Sequence, residues 1–121
     1  MARYTLNQYQ EDAIRTLQTA RGDRDTLVNM ALGVAGEAGE FANQVKKCAF
    51  HGHEMDPTKA LEELGDILWY VAAAAHSLGY QLELVADRNI GKLKRRYPEG
   101  FFEERSRNRD RHGSEDGEDK R

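Results

Sequence analysis

The stretch from Leu27 to Val45 admits one kind of backbone. Its apolar residues Leu27, Met30, Val34, Ala38, Phe41 and Val45 recur in steps of three and four. That is the repeat of one face of an α-helix, not the alternation of a strand. Proline and glycine cut the rest of the chain into similar blocks. Thr5 followed by Gln8 has the form of a capping box, opening a first helix expected to run to about Ala20, before Gly22. Asp23 or Asp25 is placed to cap the second helix, and His51-Gly52-His53 breaks it. Asp56-Pro57 then supplies an N-cap and a proline at the first position of a third helix. Its stripe is Leu61, Leu64, Leu68, Val71, Ala75 and Leu78, and Gly79 is placed to end it. A fourth helix is expected from about Gln81, with Leu82, Ala86, Ile90, Leu93 and Tyr97 on one side, stopping before Pro98. The expected fold is all-α, based on a four-helix bundle, with helices two and three forming an antiparallel hairpin.

A chain of 121 residues, 39% of them hydrophobic, suffices for one domain with a modest core, so burial of further surface in an oligomer is expected. A net charge of −3 leaves no positive excess for phosphate neutralisation and argues against a nucleic-acid partner. Cys48 is the only cysteine, so no intramolecular disulfide can form. Residues 1–10 do not resemble a signal peptide, and the longest apolar run, residues 67–75, is too short to span a bilayer. A cytoplasmic protein without a membrane partner is expected. From about Glu103 the chain is dense in Arg, Glu and Asp. The domain is therefore placed at residues 1–105, with 106–121 a charged tail and disorder expected from about His112.

Four acids carry the chemistry. Glu37 and Glu40 are three apart on helix two, and Glu63 and Asp66 repeat that spacing on helix three. Glu37 also continues the row of Met30, Val34 and Phe41, which points it toward the core edge. In an antiparallel pair, residues equidistant from the turn share a level. Glu37 with Asp66, and Glu40 with Glu63, have one midpoint, between His51 and Gly52, where the sequence breaks. Two like charges about 4 Å apart repel by about 4 kcal/mol at an effective dielectric of about 20, so such a cluster needs protons or a cation. Hard oxygen ligands without His or Cys suit Mg²⁺ or Mn²⁺ better than zinc. The competing reading is a solvated acidic face.

In these residues the sequence resembles the all-alpha nucleoside triphosphate pyrophosphohydrolases, and among them the small MazG-like proteins. The motifs are Glu37-Ala-Gly-Glu40 within GVAGEAGEFANQVKK and Glu63-Leu-Gly-Asp66 within ALEELGDILWYVAA, and the likeness continues through DRNIGKLKRRYPEGF, covering roughly residues 5–105. The resemblance implies a homodimer or homotetramer, with Glu37, Glu40, Glu63 and Asp66 as metal ligands. It also implies a Mg²⁺-dependent cut of a nucleoside triphosphate into monophosphate and pyrophosphate. One of the acids, or Glu62 beside them, takes the proton; Glu40 is the preferred base. Asn89, Lys92 and Arg96 share a face of helix four and are candidate substrate contacts, the resemblance supporting Asn89 and Lys92; Lys46 is a further candidate. House-cleaning of the nucleotide pool is the leading role, with a dCTP- or dUTP-directed enzyme second.

Other residues invite plainer readings. Tyr70 could stack on a base or pack beside Trp69, and His51 and His53 are expected to be solvated. Cys48, with no base near it in sequence, is expected to be structural. A di-iron carboxylate bundle requires Glu-x-x-His motifs, and no His has an acid three positions before it. No G-x-x-x-x-G-K-[ST] loop is present. The remaining rival is a non-catalytic helical dimerisation or regulatory module.

Overall fold

The structure, a computed structural model, describes residues 4–18 and 22–100. The tail 106–121 and the disorder expected of it lie outside the described residues. These form four helices: α1 (Leu6–Ile14), α2 (Asp23–Phe50), α3 (Pro57–Ser77) and α4 (Leu82–Arg96). No strand occurs among them, and no described helix is long and apolar enough to cross a membrane. The chain divides into two compact units, Met1–Val85 and Ala86–Arg121. The first holds α1, α2, α3 and the opening turn of α4; the second holds the rest of α4.

Local chemistry sets most helix ends. Thr5 and Gln8 form the full capping box: the Gln8 amide donates to Thr5 Oγ1 at 3.1 Å and the Thr5 amide to Gln8 Oε1 at 2.9 Å. Asp56 Oδ1 accepts from the amides of Thr58 and Lys59 ahead of Pro57. We expect Asp56→Ala to lower stability by about 1 kcal/mol, read from the urea midpoint, because those amides lose their acceptor. Gly79 ends α3 at φ +83°, with its own amide donating to His76 O and that of Tyr80 to Ala75 O. This pair of bonds is a Schellman motif, which requires a left-handed residue.

Three sequence expectations need correction. The first helix stops at Ile14, not about Ala20. The Ala13 carbonyl accepts from the Trp69 indole at 3.1 Å and the Thr16 hydroxyl at 2.8 Å, and the Leu17 amide turns to Ile14 O instead. A tertiary partner on α3 thus takes the carbonyl that the next helical amide would use. Second, the N-cap of α2 is Gly22 at φ +84°, without a side-chain bond. Asp23 and Asp25 lie in the first turn, where negative charge favours the helix dipole. Third, only part of the α3 stripe lines this chain's interior: Ala75 is buried and Val71 half-buried. Leu61, Leu64, Leu68 and Leu78 are exposed, as are Ile90 and Leu93 of α4.

The interior of the first unit is built from small residues. Ala72, Ala73 and Ala75 of α3 are buried with Ala13, Met30 and Leu82. Buried Gln10 ties α1 to the far end of α3: its Nε2 donates to the Ala72 and Tyr80 carbonyls, and its Oε1 accepts from the Leu82 amide. Asn7 Oδ1 accepts from the Glu83 amide at 3.0 Å. Two side chains of α1 therefore satisfy the first free amides of α4.

Helices α2 and α3 pack as an antiparallel hairpin, with pairings from Gly33 and Tyr70 to Gln44 and Glu63. Their register is the one read from the break at His51-Gly52. Gly33 faces Tyr70, and Glu37 lies beside Asp66.

Candidate metal centre

Glu37, Glu63 and Asp66 each present a carboxylate oxygen, and these atoms all lie within 4.8 Å of one another. The hairpin brings them together because Glu37 follows the inward row of α2, while Glu63 and Asp66 are one turn apart on the facing side of α3. Oε2 of Glu37 and Oε2 of Glu63 are both fully enclosed, and no N–H or hydroxyl donor reaches either of them. Enclosed carboxylate oxygens without donors are expensive. Burial, above all, raises the pKa of Glu37 above the ordinary carboxylate range. A hydrogen bond between the Glu37 and Glu63 carboxyls, possible only when one of them is protonated, and the nearby charges of Glu40, Asp66 and Glu63 push it further the same way. Either that proton or a cation relieves the cluster. The donor set is all hard oxygen, so a divalent ion of the Mg²⁺ or Mn²⁺ class fits it.

Glu40 does not join this close group. Like Asp66 it is exposed, and it acts on Glu37 as a nearby charge. Lys46 is also exposed, near the end of α2. Asn89 and Lys92 are exposed and Arg96 is half-buried, all on the part of α4 in the second unit. His51 and His53 are exposed, as expected. Half-buried Cys48 lines a neighbouring cavity.

Sequence reading passed over several neighbours of the acids. Gln44 Nε2 donates to Glu63 Oε1 at 3.2 Å. Gln44 lies seven residues beyond Glu37, hence on the same helix face, and that spacing was available in the sequence. Tyr9 of α1 comes near enough for the Asp66 charge to help burial raise its phenol pKa; no sequence signal links residues so far apart. A cavity of about 450 Å³ adjoins the acids at the hairpin turn, with Gln44, Lys47, Lys59 and Glu63 in its wall. Lys47, not Lys46, lines it. On the other side, one turn from Glu37 and Asp66, a cavity of about 520 Å³ is lined by Asn29, Met30, Gly33, Trp69 and Tyr70. Trp69 and Tyr70 pack edge to face, their ring centroids 5.0 Å apart.

No solved structure matches the chain. The "Gene 37 protein" of Mycobacterium phage L5 is 37% identical, over 73% of this chain and 83% of its own length. The model of the MazG nucleotide pyrophosphohydrolase domain matches residues 25–101, from the first turn of α2 past the end of α4, and so spans both acidic pairs. This chain belongs to the MazG nucleotide pyrophosphohydrolase domain family, within the all-alpha nucleoside triphosphate pyrophosphohydrolases.

Proposed function

We propose that this protein hydrolyses nucleoside or deoxynucleoside triphosphates to the monophosphate and pyrophosphate, with Mg²⁺ as cofactor and Mn²⁺ able to replace it. The observation that carries the reading is the pair of enclosed oxygens on Glu37 and Glu63 that no N–H or hydroxyl donor reaches, with Asp66 within reach of both. These three residues would hold the ion, with Glu40 at its edge as the fourth acid. When bound, the ion neutralises phosphate charge and makes water more acidic. Glu40, exposed and not drawn into the close group, is the carboxylate assigned to take the proton from the attacking water. The new bond forms between that water's oxygen and the α-phosphorus, and pyrophosphate leaves with the bridging oxygen. Lys46, Asn89, Lys92 and Arg96 are assigned to the phosphate oxygens, with Lys47 and Lys59 added from the cavity beside Glu63. The aromatic-lined cavity one turn away, with the Asn29 amide in its wall, has the size and lining for a base.

House-cleaning of the nucleotide pool in the cytoplasm is the role we assign; the cavity beside Trp69 and Tyr70 also carries the polar side chains of Thr16, Gln18 and Asn29, which a base could meet. The test is pyrophosphate release from a panel of common and modified triphosphates. Release is expected with Mg²⁺ and none with EDTA. Absence of release from every substrate, with Mg²⁺ present, would favour a non-catalytic helical module.

We also infer a homodimer or homotetramer. Leu61, Leu64 and Leu68 are spaced three and four along α3, at 70%, 49% and 39% exposure in the single chain. A continuous apolar stripe of this kind is the usual mark of a protein contact. Leu64→Glu is expected to shift the sedimenting species toward the monomer mass in analytical ultracentrifugation.

A further inference from the structure

We propose that Gln44 is a positioning residue that holds Glu63 in a metal-binding orientation before any ion arrives. The inference rests on the metal-centre reading above. Gln44 Nε2 donates to Glu63 Oε1 at 3.2 Å, which satisfies one oxygen of that carboxylate. The other, Oε2, is left enclosed, without an N–H or hydroxyl donor, within reach of Glu37 and Asp66. The amide bond thus decides which oxygen faces the acid group.

Holding it there opposes electrostatics. Without a cation or a proton between them, Glu37 and Glu63 repel each other, and Glu63 can relieve that by turning away. Space for that turn exists, because Glu63 lines the cavity of about 450 Å³ at the hairpin turn. Gln44 stands in the same wall and anchors the carboxylate against the swing. A neutral amide suits the task. A lysine at this position would neutralise the acid and compete with the ion, whereas a glutamate would add another negative charge and no donor. Partners of this kind orient metal ligands, and their loss typically costs about 10- to 100-fold in metal affinity.

The test uses Mn²⁺ alone, with the free ion followed by electron paramagnetic resonance, on the full chain. Gln44→Met keeps the length and helix propensity of the side chain but lacks the donor. Its Mn²⁺ affinity is expected to fall about 10-fold or more, with the metal-free melting temperature unchanged or raised. Gln44→Leu should behave alike, and Glu63→Gln should lose binding more severely. A purely structural bond gives the opposite pattern, a lower metal-free melting temperature with Mn²⁺ affinity intact, and that pattern overturns the proposal. If Glu63→Gln also binds Mn²⁺ as the parent does, the metal centre itself fails and the role of Gln44 with it. Loss in Glu63→Gln with parental affinity in both Gln44 variants removes only the positioning role.

Discussion

Glu37→Gln is expected to lower kcat/KM for triphosphate hydrolysis by about 10³-fold or more, while the metal-free protein becomes more stable to heat. Both effects come from one carboxylate. In the proposed function Glu37 would be a charged ligand of the ion, and a neutral amide would replace it poorly. Without the ion it is an acid held beside Glu63, Asp66 and Glu40, and burial, the hydrogen bond with the Glu63 carboxyl and those neighbouring charges raise its pKa. The sign of the pH dependence follows. Between the ordinary carboxyl range and the raised value, the folded protein binds a proton that the unfolded chain has lost, so stability falls as pH rises through that window. Below the window the acid is protonated in both states and the penalty is gone. Melting curves of the metal-free parent should therefore shift downward as pH rises through that window, and those of Glu37→Gln should be flatter. Near-parental activity in this variant would remove Glu37 from the ligand set.

Gly33→Val should destabilise the fold by about 2–3 kcal/mol, the upper part of the usual cost of overpacking. A Cβ at position 33 would overlap the Tyr70 ring, so α2 and α3 can approach at this level only because residue 33 has no side chain. Valine gains little helix propensity to offset the clash. The separation it forces lies one turn from Glu37 and Asp66, and metal affinity should fall along with stability. Tyr70→Ala in the same chain should recover part of the loss, with a coupling of about 1 kcal/mol in a double-mutant cycle. Additive effects would mean that the two residues do not meet as described.

The helices and the hairpin register were legible because the signals for them are local. Thr5 with Gln8, Asp56 with Pro57, and Gly79 satisfy backbone groups within a few residues of themselves. The midpoint at His51-Gly52 aligned Glu37 with Asp66 because a short turn leaves an antiparallel pair little freedom to slide. What could not be read depends on residues distant in sequence. Trp69 reaches α1 and ends it at Ile14, and Gln10 supplies the acceptor at the start of α4. The leucines of α3 show a helical repeat, but periodicity cannot tell whether the partner face belongs to the same chain or another. The acids were found as two equivalent pairs, yet the chain separates them three and one. Glu37, Glu63 and Asp66 converge, while Glu40, about 60° around α2 from Glu37 and one turn further along, stays outside the close group.

Crystals of the metal-free protein soaked in Mn²⁺ and measured for anomalous scattering test the central claim most directly. A peak is expected at about 2.0–2.3 Å from oxygens of Glu37, Glu63 and Asp66, with Gln44 still bonded to Glu63. An anomalous map without a peak at these carboxylates, at Mn²⁺ concentrations that support any turnover, would contradict the account.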